Sequence, residues 1–308
     1  MTYFWRLFLT LGLAFLLNCS NTIAYSLPIV NRLTVSDFLS LDVNNMQSGN
    51  YQPAGKNFHQ VPPLQANDAL ADTDRCQTHV QLQDYHQAII NCNQAINLAP
   101  DNWQAYLLRG LAHYRRGEDS AAIADYNRVI ALEPVDFRAY YNRGLAHTGE
   151  GKYSQAITDY NLALTQIPST TSLFLAEIYN DRGLAYLLLQ NYPAAILDFN
   201  RAIRLNDQDH RAYFNRGCAE GRNGNNLSAI RNFSQVIKLE PGYAPAYLNR
   251  GIARYDLGYH QGAIADLKKA SEYFQNQGKS IAYKITIDLL HNLQQKIELL
   301  TEIALLYP

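Results

Sequence analysis

The side chains best suited to chemistry recur in register along this chain of 308 residues. Arg75, Arg109, Arg143, Arg182, Arg216 and Arg250 are each followed sixteen residues later by an acid or its amide: Asn91, Asp125, Asp159, Asp198, Asn232 and Asp266. A guanidinium opposite a carboxylate makes a planar, two-bond ion pair. Because the partner recurs in phase with the arginine, Arg109 with Asp125, Arg143 with Asp159, Arg182 with Asp198 and Arg250 with Asp266 read as internal struts. Six ligand-binding arginines would not need a partner in step.

Three histidines, His79, His113 and His147, also recur at one spacing and raise the question of a metal. Equivalent positions on stacked helical units lie about 10 Å apart, whereas zinc holds its nitrogens at about 2 Å, so the three cannot share one ion. They read as packing residues. Cys76 and Cys92 are sixteen residues apart on the same two elements that carry Arg75 and Asn91. In an oxidising compartment they can form a disulfide; otherwise they are two small buried thiols. Cys218 has no acid or histidine array beside it that would make it a nucleophile. No glycine-rich phosphate loop, metal-ligand spacing or catalytic triad signature emerges, so neither an enzyme nor a cofactor nor a bound metal is expected.

The elements that must position these residues follow from the period. Arg-Gly pairs end at Gly110, Gly144, Gly183, Gly217 and Gly251, so the spacing is 34, 39, 34 and 34 residues, with Thr171 to Leu175 as a five-residue insertion. Self-similarity at that period is the mark of a helix-turn-helix solenoid. The unit from Phe137 to Thr170 reads FRAYYNRGLAHTGEGKYSQAITDYNLALTQIPST. In it Tyr140, Gly144, Gly151, Tyr153, Ala156, Tyr160, Ala163 and Pro168 stand where the tetratricopeptide (TPR) pattern places its aromatic, small, turn-glycine and closing-proline residues. The chain thus resembles the TPR family over about two thirds of its length. The resemblance implies an all-α fold, a right-handed superhelical α-solenoid of about six TPR helix-turn-helix repeats, closed by a long C-terminal capping helix.

Aligned on the marker, the repeats span 69–102, 103–136, 137–170, 176–209, 210–243 and 244–277. The first is degenerate, with Cys76 in place of the glycine, and the sixth has Gln275 where the others close on proline. Gly117, Gly151, Gly224 and Gly258 are expected to turn the chain with positive φ, and Pro100, Pro134, Pro168 and Pro241 to stop the second helices. The inserted residues either lengthen the helix that follows or bend the joint.

The family resemblance also implies where a ligand would lie. TPR domains line their concave surface with the second, fifth, ninth, twelfth and thirteenth residues of the first helices. Here those are Leu107, Leu111, Tyr114 and Arg115; Arg138, Tyr141 and Leu145; Asn180, Leu184, Leu187 and Leu188; Arg211, Phe214, Cys218 and Arg222; and Leu248, Ile252 and Tyr255. The lining reads as apolar with scattered arginines. The Lys and Asn of the two-carboxylate clamp used by some relatives are absent, since Leu107 and Leu111, Tyr141 and Leu145, or Phe214 and Cys218 hold those places. An amphipathic helix or an extended apolar segment is the expected partner, unless the protein's own tether or C-terminal helix fills the groove in part.

Composition narrows the field further. With 26 basic and 27 acidic residues the formal net charge is −1, and no basic cluster provides a nucleic-acid footprint. The 22 tyrosines fall mostly at repeat positions that take aromatics, so they read as packing.

Residues 1–24 carry one basic residue, Arg6, and an apolar run from Leu7 to Leu17, which suits a signal peptide and is too short to span a bilayer. Cleavage after Ala24, lipidation at Cys19 and an uncleaved anchor are the three readings. All give export across the cytoplasmic membrane, to a periplasm or thylakoid lumen or to a membrane anchor, in the manner of exported or cyanobacterial TPR proteins. Residues 25–68, rich in Asn, Gln, Ser and Pro, read as a flexible tether with a brief helix over 33–41. Residues 278–308 read as the capping helix, with a seam of Leu290, Leu293, Ile297, Leu300, Ala304 and Tyr307 flanked by Leu289, Leu299, Ile303 and Leu306. That wide seam leaves room for a homodimer. The resulting expectation is a protein-protein interaction scaffold binding a protein or peptide. The alternatives are an assembly factor for a membrane complex that self-associates through its last helix, and an enzyme regulator.

Overall fold

The computed structural model describes residues 69–168 and 172–306. The signal and tether expectations, Cys19 included, lie outside the described residues, as do Leu300, Ala304 and Tyr307 as side chains. The described chain contains thirteen helices and no strand. Six of them are α1 (Ala69–Gln81), α2 (Tyr85–Leu98), α3 (Trp103–Arg115), α4 (Asp119–Leu132), α5 (Phe137–Gly149) and α6 (Tyr153–Gln166). The others are α7 (Ser172–Leu188), α8 (Tyr192–Leu205), α9 (His210–Arg222), α10 (Asn226–Leu239), α11 (Ala244–Asp256), α12 (His260–Asn276) and α13 (Ser280–Leu306). They group into two compact units divided between Thr171 and Ser172.

Local sequence sets the helix limits. Asp84, Asn102, Asp136, Asn191, Asp209 and Asn225 each precede a helix and accept from a backbone N–H of its first turn, which would otherwise lack a partner. Turns within the pairs need one residue in the left-handed region. Gly151 supplies it at φ 74°, but Gln83 and Gln190 do so in the first and fourth pairs, at 60° and 61°. The inserted residues lengthen α7, which runs 17 residues against 13 for α5.

Each pair closes on one contact. A β-carbon at Gly110, Gly144, Gly183 or Gly217 would lie 2.7, 2.7, 2.8 or 2.7 Å from the ring of Tyr126, Tyr160, Phe199 or Phe233, respectively. These rings are fully buried, so the missing side chain is what lets the two helices meet. In the pair α11–α12 the ring gives way to Leu267, 3.2 Å from a β-carbon at Gly251. In α1–α2 the same two places are Cys76 and Cys92, joined as a disulfide with their Cα atoms 5.3 Å apart. The pair with neither the glycine nor an apolar wedge facing it is held covalently instead.

In the first unit the cores are built on Val80, Ile96, Leu108 and Leu111, and on Tyr126, Val129 and Leu107. In the second, a single core runs from Leu187 and Phe199 through Phe233 and Leu267 to Leu290 and Leu293 of α13. The last helix therefore spends the start of its apolar seam on α12, with Ile297 packed at the margin of the same core. No helix among the described residues is long and apolar enough to cross a membrane.

Candidate functional site

The struts come first, because they fix the face beside them. Arg109 donates from Nε and Nη2 to the two oxygens of Asp125 at 2.9 and 2.6 Å, and from Nη1 to Asn93 on the preceding pair at 2.6 Å. Arg143 repeats the arrangement with Asp159 at 2.9 and 2.6 Å and Asn127 at 2.7 Å. Arg182 holds Asp198, and Arg250 holds Asp266, through the same two nitrogens. The bond to Asp125 raises the Arg109 guanidinium above its usual range. Each arginine thus ties both helices of its own pair, and Arg109, Arg143 and Arg250 also reach the pair before.

One pair departs from the expected pattern, and one keeps it with an amide partner. Arg75 turns to Asp72 on its own helix, while Asn91 receives nothing from it and donates to Gln94 at 3.3 Å. An amide offers only one acceptor, so a carboxylate one turn away wins the guanidinium. Arg216 keeps its amide partner Asn232, at 2.8 Å.

The histidines serve their own pairs. His113 Nδ1 lies 2.6 Å from Glu118 Oε2, and His79 and His147 stand 3.7 Å from Asp84 and Asp159. Burial pushes the His147 imidazole below its ordinary value, although Asp159 pulls the other way. Among the described residues, no group of three or more His, Cys, Asp or Glu could hold a metal ion.

The face expected to meet a ligand divides into packed and accessible residues. Leu107, Leu111, Tyr141, Leu145, Asn180, Leu187, Phe214, Cys218, Leu248 and Ile252 are buried. They pack between helices, so their apolar area is not available to a partner. Partly exposed are Tyr114, Arg115 and Arg138 in the first unit, and Leu184, Leu188, Arg211, Arg222 and Tyr255 in the second. The accessible face is therefore more polar than a list of residue types suggests.

Two of its arginines, Arg138 and Arg211, are held in place by carboxylates. Arg138 is gripped by Asp136, with Nε and Nη2 at 2.8 and 2.6 Å, and stacks 5.3 Å above the Trp103 ring. Arg211 is gripped by Asp209 at 3.0 and 2.8 Å and reaches Glu177 on α7 at 3.0 Å. Burial raises the Glu177 carboxyl even with Arg211 beside it. Behind them Asn215 donates to Asn180 at 3.1 Å. Sequence reasoning missed Asp136, Asp209 and Glu177. The N-cap position of the two aspartates, two residues before an arginine, was the available signal. Tyr255 is capped at its hydroxyl, to which Lys296 of α13 donates, with Nζ 5.2 Å from the ring centroid. The C-terminal helix thus occupies part of this face.

Four family models match the chain. "Tetratricopeptide repeat" models match residues 77–102, 136–208 and 214–273, and a "TPR repeat" model matches residues 112–149. A crystal structure of MamA is 28% identical, covers 55% of this chain and 96% of its own, and superposes with a TM-score of 0.50. PilF of Pseudomonas aeruginosa, at 15% identity, covers 70% of this chain and 95% of its own with a TM-score of 0.59. YrrB, described as a TPR protein with an unusual peptide-binding site, is 21% identical over 64% of this chain and 96% of its own, with a TM-score of 0.52. The last two show a shared fold. No curated protein sequence matches the chain.

Proposed function

Because the chain belongs to the tetratricopeptide repeat family, we propose that it is an interaction scaffold whose first helices receive a segment of a partner protein. The observation that carries this reading is the accessible part of the first-helix face. In the second unit Arg211, already oriented by Asp209, shares this face with Leu184, Leu188 and Tyr255; in the first, Arg138, oriented by Asp136, shares it with Tyr114. Side chains fixed before binding lose little freedom on meeting a ligand, which is what a recognition surface requires. The mixture suits an extended segment with both polar and apolar side chains better than an apolar helix, whose partner leucines are committed to the core. No step of bond-making is assigned to the protein.

The scaffold works, in this reading, on the far side of the cytoplasmic membrane, exported or tethered there. The apolar run from Leu7 to Leu17 supports this, and so does the Cys76–Cys92 bond, since disulfides persist in oxidising compartments. Scaffold binding is favoured over self-assembly through α13 because Leu290 and Leu293 are already buried against the protein's own core.

A photo-crosslinker placed at Leu184 in the full chain, in its native compartment, tests the binding. It should capture a discrete partner, and the yield should fall when Arg211→Ala removes the anchored arginine of the next pair. Equal capture by a crosslinker at the exposed Leu227 would overturn the assignment to this face. Recovery of the full-length chain in the cytoplasmic fraction would overturn export.

A further inference from the structure

Arg216 is the strut that lacks its carboxylate. In the four pairs with an aspartate, the arginine Nη2 donates to carboxylate Oδ1 at 2.6 to 2.8 Å. In α9–α10 that oxygen is replaced by the amide nitrogen of Asn232, itself a donor and already bonded to the Ser228 carbonyl at 2.9 Å. Arg216 keeps its Nε bond to Asn232 at 2.8 Å and its Nη1 bond to Asn200 at 2.7 Å. Among the described residues its Nη2 has no acceptor. Burial lowers the Arg216 guanidinium although Tyr213 and Glu220 pull the other way, whereas the bond to Asp125 raises that of Arg109.

A hollow of about 490 Å³ opens at this place, lined by Arg216, Arg231, Glu220, Asn200, Asn232 and Tyr213 among others. Arg231 is steadied by Ser228 Oγ at 2.6 Å, and the Arg216 guanidinium lies 5.4 Å over the Tyr213 ring. Two guanidinium groups against the single carboxylate of Glu220 leave one positive charge uncompensated. Tyr213, Arg216 and Glu220 follow a three-and-four spacing along α9, on the opposite side from Arg211, Phe214 and Arg222. The hollow is therefore separate from the face proposed to receive a partner segment.

We propose that this hollow binds a carboxylate, which supplies from outside the counter-ion that aspartate supplies in the sister repeats. One carboxylate neutralises the site. It offers Arg216 Nη2 the acceptor it lacks and gives Arg231 a charged partner in place of a hydroxyl. The carboxylate belongs either to a free small acid or to an acidic side chain of a polypeptide, and the chemistry at the arginines is the same.

The test uses the full chain, with acetate and the blocked aspartate N-acetyl-Asp-N-methylamide as probes, each against chloride at equal ionic strength. The Arg216 Nε–H resonance should shift saturably with the carboxylates and not with chloride. Asn232→Asp, which restores the sister arrangement, should abolish the saturable shift while the protein remains folded. Arg231→Gln should weaken binding about tenfold, the worth of roughly 1.4 kcal/mol. Tighter binding of the blocked aspartate than of acetate identifies a polypeptide source, and the reverse a free acid. An equal response from wild type and Asn232→Asp, or from chloride and acetate, overturns the proposal.

Discussion

Gly144 and Tyr160 meet so closely that a β-carbon on the glycine would lie 2.7 Å from Cε1 of the ring. The contact sets how near α5 and α6 can approach, and the ring is fully buried with nowhere to retreat. Gly144→Ala should therefore overpack the pair and cost about 1–3 kcal/mol, with Gly144→Leu worse. Chemical denaturation, read by circular dichroism, gives the difference. An unchanged midpoint for Gly144→Ala would mean that the ring has room.

Asp159→Asn would give Arg143 the partner that Arg216 has naturally. One of the two carboxylate bonds is lost and a partly buried guanidinium is left without its counter-ion, a cost of about 1–3 kcal/mol. The converse change, Asn232→Asp, should raise stability. The pair of variants measured together by thermal unfolding checks the sign of both.

Protonation gives a third expectation. Burial lowers the folded-state values of His147 and His210 from the ordinary 6.5. Both are then neutral when folded at a pH where the unfolded chain already binds a proton. Their contribution to stability is complete above about pH 6.5 and is lost as pH falls from there toward the folded values. The thermal midpoint should decline over that window, and His147→Gln with His210→Gln should flatten the decline. A slope unaltered by the double substitution would assign it to other groups.

Reduction supplies the fourth. The Cys76–Cys92 bond closes a loop of sixteen residues, for which chain entropy gives about 3 kcal/mol. Dithiothreitol should speed amide exchange in α1 and α2 far more than in α5 and α6. Uniform change across all four helices would contradict a local role.

The repeat was legible because its signals are local. The turn glycines and closing prolines each act within a few residues, and a period of 34 repeats them along the chain. The strut from Arg143 to Asp159 was legible too, since both ends recur in phase. The binding face was harder to read. Residue type places Leu145 and Leu184 at one repeat position, yet Leu145 is buried and Leu184 partly open, because each depends on what the neighbouring pair puts beside it. Glu177 escaped notice because its partner Arg211 lies on a different helix, a relation that only packing creates. In the fifth repeat the departure from aspartate to Asn232 was visible in the sequence, but the hollow beside it was not.

The disulfide in the first repeat also bears on mechanical load. A stack of helix pairs can be peeled from its end, one pair at a time, by tension on the chain that leads into it. Tension at Ala69 can strip α1 only as far as Cys76. From there the sulfur bridge passes the load straight to Cys92 on α2, bypassing the turn between the helices. A pull on the chain before Ala69 then meets a closed covalent ring, and the pairs behind it are released only when α2 itself is torn away.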